Sequence, residues 1–227
     1  MQRYFQIHPQ ILDNCVNVIR SINQKLDTNK INESEISIDL IFPFLFFTIP
    51  NDAMFEMSKY FRLYREIIDH YNKGKRDVDE LKSVVEAASD INVIGFGDYQ
   101  KINKKCRKHT PLSIVNSYYF ATKRVFYRFE IFDLYSEKYH IDNKNGILNT
   151  LKDISAFFLF DDDVYDLESD IEKRKYTILT HYIQDGGNLK FAIKEMLKPL
   201  ETVKEANRKN EILIDFVTTF GKVYERT

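Results

Sequence analysis

The sequence predicts an all-α protein, a single-domain bundle of about eight helices over residues 1–227. Three observations carry that expectation. Apolar residues recur at helical spacing through almost the whole chain. Only 7 Gly and 5 Pro are present, too few for the tight turns of an all-β protein. The one strand-like stretch, 91–97 with Val93, Ile94 and Gly95, has no partner of similar quality and reads as a turn region.

Taken in order, 11–26 is a first amphipathic helix with Ile11, Leu12, Val16, Ile19 and Leu26 along one side. Polar residues Thr28, Asn29, Asn32 and Ser34 make 27–37 a loop, and 38–47 is a short buried segment. Pro50-Asn51-Asp52 restarts the chain, with Asn51 or Asp52 as N-cap of a helix over 53–71. Lys73-Gly74-Lys75 breaks that helix, and 78–89 forms another. Pro111 opens a long helix over 112–139, which the polar stretch 140–146 ends. The next long helix covers 147–173. A shorter one over 176–184 is closed by Asp185-Gly186-Gly187, and one or two more follow from residue 189. No repeat, low-complexity segment or linker divides the chain.

Composition narrows the classes of function. A chain 44% hydrophobic and 30% charged belongs with folded proteins, not disordered ones. A net charge of −1 offers no basic surface for nucleic acid, so no nucleic-acid partner is expected. The most apolar run, 36–50, is interrupted by Asp39 and Pro43. It is too short to span a bilayer, which takes roughly 20 apolar residues. Residues 1–9 lack the apolar core of a signal peptide, and the expected location is cytoplasmic. Cys15 and Cys106 stand apart as free thiols. His8, His70, His109, His140 and His181 show no metal-binding spacing. Neither a Gly-rich phosphate loop nor a GxSxG elbow occurs. With 18 Phe and 14 Tyr, aromatic side chains are abundant. Filling the core is their first reading, and lining a pocket that stabilises a cation is the second.

The informative stretch runs from Phe157 to Thr177. On a helix, Asp162, Asp166 and Asp170 advance by only about 40° at each step, and Asp163 lies about 100° from Asp162. These four carboxylates therefore share one quadrant, while Asp161 and Glu168 point elsewhere. Ser155, Phe158 and Leu159 lie on or near the same face one to two turns earlier, as candidate cavity-lining residues. Like charges at i,i+4 destabilise a helix, so compensation is required. Mg²⁺ suits such carboxylates, because it binds through one or two of them plus substrate phosphates. Lys173, Arg174 and Lys175 follow one turn later, in reach of the same phosphates. The competing reading is a solvated acidic face with a basic helix end, which the macrodipole favours.

At these residues a family resemblance emerges. Asp162-Asp163-Val164-Tyr165-Asp166 has the DDxxD form of isoprenyl diphosphate synthases. The continuation through Asp170 to Lys173-Arg174-Lys175-Tyr176-Thr177 resembles their second aspartate-rich region, and that of squalene and phytoene synthases. The i, i+4, i+8 set also resembles the second metal motif of terpene cyclases. The likeness covers about 25 residues, 157–179. It implies a class I isoprenoid synthase fold, in which two acidic helices face each other across an apolar cavity. It further implies Mg²⁺ as cofactor, a prenyl diphosphate as substrate, and ionisation of that allylic diphosphate to a carbocation with release of pyrophosphate. Asp162 and Asp166 would be catalytic, Asp162, Asp163, Asp166 and Asp170 metal ligands, and Lys173, Arg174, Lys175 and Tyr176 diphosphate-binding. A homodimer is compatible with this reading.

The family also needs a first acidic motif upstream, and no second DDxxD exists here. The best match is the segment 59–76, where Glu66 and Asp69 offer two carboxylates and Arg65 a diphosphate contact. An ion-pair ladder, Arg62–Glu66 and Asp69–Lys73, explains that segment equally well. Glu130 and Asp133 are accompanied by Lys123, Arg124 and Arg128 and read as surface ion pairs. Two alternatives to the enzyme stand beside it. One is a catalytically degenerate family member acting as a partner or regulatory subunit. The other is an all-α Mg²⁺-dependent nucleotide pyrophosphohydrolase.

Overall fold

The computed structural model describes residues 46–50, 52–53, 57, 113–122, 132–133 and 135–225. Helix is the only regular structure among the described residues, as an all-α chain requires. Bounded helices are α1 (Ile114–Thr122), α2 (Lys144–Tyr165), α3 (Leu167–Glu172), α4 (Ile178–Gln184), α5 (Leu189–Ala206) and α6 (Glu211–Glu225). Asp52, Ala53 and Met57 are also helical, as are 132–133 and 135–138. The helices expected over 11–26 and 78–89 and the turn expected over 91–97 lie outside the described residues. None of the described helices is long and apolar enough to cross a membrane.

The chain divides into two compact units, 1–94 with 127–148 and 95–126 with 149–227. In the first, Phe46, Ala53, Met57, Phe132, Tyr135, Ile141, Ile147 and Leu148 are buried. Lys144, which opens α2, pairs with Asp133 at 3.0 Å and Glu137 at 2.5 Å. Asp133 therefore has the surface ion-pair role read from its basic neighbours, although its partner is Lys144.

Helix starts in the second unit are fixed by side-chain caps. Ser113 Oγ accepts from the Asn116 N–H and sets the start of α1 at Ile114. Asn188 Oδ1 accepts from the Phe191 N–H and Asn210 Oδ1 from the Leu213 N–H, opening α5 and α6. Thr177 and Thr180 form a reciprocal capping box at α4, so that helix begins at Ile178 and not at Tyr176.

The ends of α3 and α4 follow one pattern. After α4, the Gly187 N–H bonds the Tyr182 carbonyl and the Gly186 N–H bonds that of Ile183. Gly186 holds φ at 85°, the left-handed residue that this motif needs. After α3 the Lys175 N–H bonds the Asp170 carbonyl and the Arg174 N–H that of Ile171, with Arg174 at φ 52°. An arginine thus occupies the position where glycine is ordinarily found.

The core of this unit is aromatic. Phe157 and Phe160 of α2 are fully buried, and the T-shaped partners of Phe157 on α6 are Phe220 at 6.1 Å and Tyr224 at 5.8 Å. Phe160 meets the Tyr118 ring of α1 edge-on at 5.4 Å. Edge-to-face pairs at these separations each contribute about 0.5–1.5 kcal/mol beyond area burial. Met196, Leu200 and Val203 give α5 its buried stripe against α1 and α6. The α5 C-cap Asn207 donates through Nδ2 to the Val203 carbonyl and to Thr150 Oγ1, both at 2.9 Å, and so ties α5 to α2.

Gly186 and Arg174, two of the left-handed positions among the described residues, make a test of backbone strain. A Cβ at Gly186 would meet no atom within 4 Å, so Gly186→Ala isolates the conformational term. Gly186→Ala is expected to lower unfolding free energy by about 1 kcal/mol, and Arg174→Gly to raise it by about the same amount. Urea denaturation of both variants checks the pair of signs.

Candidate functional site

The acidic stretch lies at the junction of α2 and α3. One long helix was expected over 147–173; the structure instead has α2 from Lys144 and an interruption at Asp166, with φ −88° and ψ −1°. The interruption falls where carboxylates recur at four-residue intervals, an arrangement that destabilises continuous helix. Backbone hydrogen bonds still cross it, from the Asp166 N–H to the Asp162 carbonyl and from the Asp170 N–H to the Asp166 carbonyl. The four-residue register therefore survives the break.

A stripe that rotates by about 40° per step cannot stay on one side of a helix. Asp162 is exposed, Asp163 and Asp166 are half-buried, and Asp170 is buried. Each has a different environment. Asp163 Oδ2 accepts from the Tyr118 hydroxyl of α1 at 2.6 Å. Asp170 is held by Lys175, whose ammonium lies 3.1 Å from Oδ1 and 3.2 Å from Oδ2. That pair follows from the α3 terminus, since the same turn bonds the Lys175 N–H to the Asp170 carbonyl. No side-chain hydrogen bond or ion pair engages Asp162 or Asp166 within the described part of the structure. These two carboxylates, one helical turn apart, are the open pair.

Their electrostatics match that arrangement. Partial burial, then the negative charges of Asp166 and Asp161, raise the Asp162 carboxyl above its ordinary value, and Lys175 opposes the rise. The Lys175 ammonium is itself held above its usual range, first by its hydrogen bond to Asp170 and further by Asp166 and Asp163. The site thus has excess negative charge around Asp162 and one cation already committed to Asp170.

The basic run separates in the same way. Lys173 is exposed and donates to Ser169 Oγ at 2.7 Å, and Arg174 is exposed at the left-handed turn. Tyr176 is 62% exposed, with its ring stacked on His181 at 5.1 Å. Of this group, Lys175 is the one that pairs with an aspartate of the stripe. Ser155, Phe158 and Leu159 are half-buried on α2, and the Phe158 ring stands edge-on to Phe216 and Phe220 of α6. Arg65, Glu66 and Asp69 lie outside the described residues. Among the described residues no group of three or more His, Cys, Asp or Glu is arranged to hold a metal ion.

Several residues here were not singled out by sequence reasoning. Asp161 is buried and accepts from the Tyr224 hydroxyl of α6. Its burial had a signal, because Asp161 falls about 40° from Phe157 and about 20° from Ile154, on the face those residues bury. Tyr119 donates to Asp153 at 2.5 Å on the same two helices as Tyr118 and Asp163. Burial, and then the hydrogen bond to Asp153, push the Tyr119 hydroxyl well above its ordinary 10.0. Burial likewise raises Asp153, against the opposing effects of Tyr119 and Lys152. Comparison with known proteins finds no matching family model, no matching curated protein and no matching solved structure.

Two measurements follow from this geometry. An acid whose proton is held more tightly in the folded state opposes folding once it ionises. That cost is absent below 3.8 and grows as pH rises through the folded value. Asp162→Asn is therefore expected to be more stable than the parent at about pH 7 and equal to it at about pH 3, by thermal melts across that range. Tyr224→Phe removes a donor from buried Asp161 and is expected to lower unfolding free energy by about 1–3 kcal/mol in denaturant titration.

Proposed function

We propose that the α2–α3 junction is a Mg²⁺-dependent diphosphate site of the class I isoprenoid synthase kind. The observation that carries this reading is the Asp162–Asp166 pair, which no side chain among the described residues engages by hydrogen bond or ion pair, with the Asp162 carboxyl raised first by burial and then by the charge of Asp166. A divalent cation relieves that repulsion, and two carboxylates plus phosphate oxygens satisfy its coordination. When bound, Mg²⁺ would neutralise the diphosphate as the allylic carbon–oxygen bond breaks and the bonding electrons leave with pyrophosphate.

In this reading the residues divide the work. Asp162 and Asp166 hold the cation. Asp163 is oriented by Tyr118 at its edge. Asp170 keeps Lys175 beside the pair, where the ammonium can contact phosphate oxygens. Lys173, Arg174 and Tyr176 are exposed around the same turn and available to the diphosphate.

A second reading is favoured by the packing behind the stripe. Phe157, Phe158 and Phe160 face Phe216, Phe220 and Tyr224, so rings of α6 cover the apolar side of this segment. That supports a family-like chain that binds diphosphate without ionising a prenyl substrate, as a partner or regulatory subunit.

Turnover separates the two. Pyrophosphate release from C10, C15 and C20 prenyl diphosphates is expected to require Mg²⁺. It is expected to fall by about 100-fold or more in the Asp162→Ala, Asp166→Ala double variant. Retained turnover in that variant removes the pair from the mechanism. Binding of the diphosphates without release selects the second reading, and release from nucleoside triphosphates alone selects a nucleotide pyrophosphohydrolase.

A further inference from the structure

We draw no further inference here: the strongest candidate, the side-chain cluster in which Tyr118 and Tyr224 hold Asp163 and Asp161 at the end of α2, belongs to the site already described, and no other observation among the described residues points to a ligand there.

Discussion

Hydrogen-bonding the aspartates that α2 turns toward its neighbours is the constraint on which the second unit depends. Three tyrosine hydroxyls do most of this, with Tyr118 and Tyr119 of α1 donating to Asp163 and Asp153, and Tyr224 of α6 to Asp161. A hydrogen bond to a charged group contributes roughly 1.5–3 kcal/mol, whereas an unfavourable i,i+4 charge pair costs only a few tenths. The tyrosine bonds stabilise the segment by more than the repulsion costs it, and α2 stays helical up to Tyr165. The same bonds fasten α1 and α6 to α2 at the edge of the aromatic core, so carboxylate hydrogen bonding and packing are one arrangement.

This division sorts five neighbouring aspartates by role. Asp161 and Asp163 are bound by hydroxyls, and Asp170 by an ammonium. Asp162 and Asp166 are left without a side-chain hydrogen bond or ion pair among the described residues. The rotation of the stripe toward the interior makes Asp162, Asp163, Asp166 and Asp170 unequal in burial.

Much of the helical architecture was legible because it is written locally. Asp185-Gly186-Gly187 ended α4 as read, and the basic run Lys173–Lys175 marked the end of α3. Caps at Ser113, Thr177, Asn188 and Asn210 act over three residues and have the expected residue types. Arg174 was less legible, since a non-glycine in the left-handed position carries no sequence signal. The aspartates' partners were not legible at all. Tyr118 and Asp163 are 45 residues apart, Tyr224 and Asp161 63 residues apart, and no periodicity reports such distances. The angular position of Asp161, beside Ile154 and Phe157, is the signal that could have found its burial.

The claim that two carboxylates stand apart from their neighbours can be read at each carboxyl carbon. With ¹³C-labelled aspartate, Mn²⁺ added as a paramagnetic substitute for Mg²⁺ is predicted to broaden the Asp162 and Asp166 signals first. Those of Asp161 and Asp163 should persist at the same metal concentration. Broadening that begins at Asp161 or Asp163, or that spreads evenly over all the surface acids, would contradict the account.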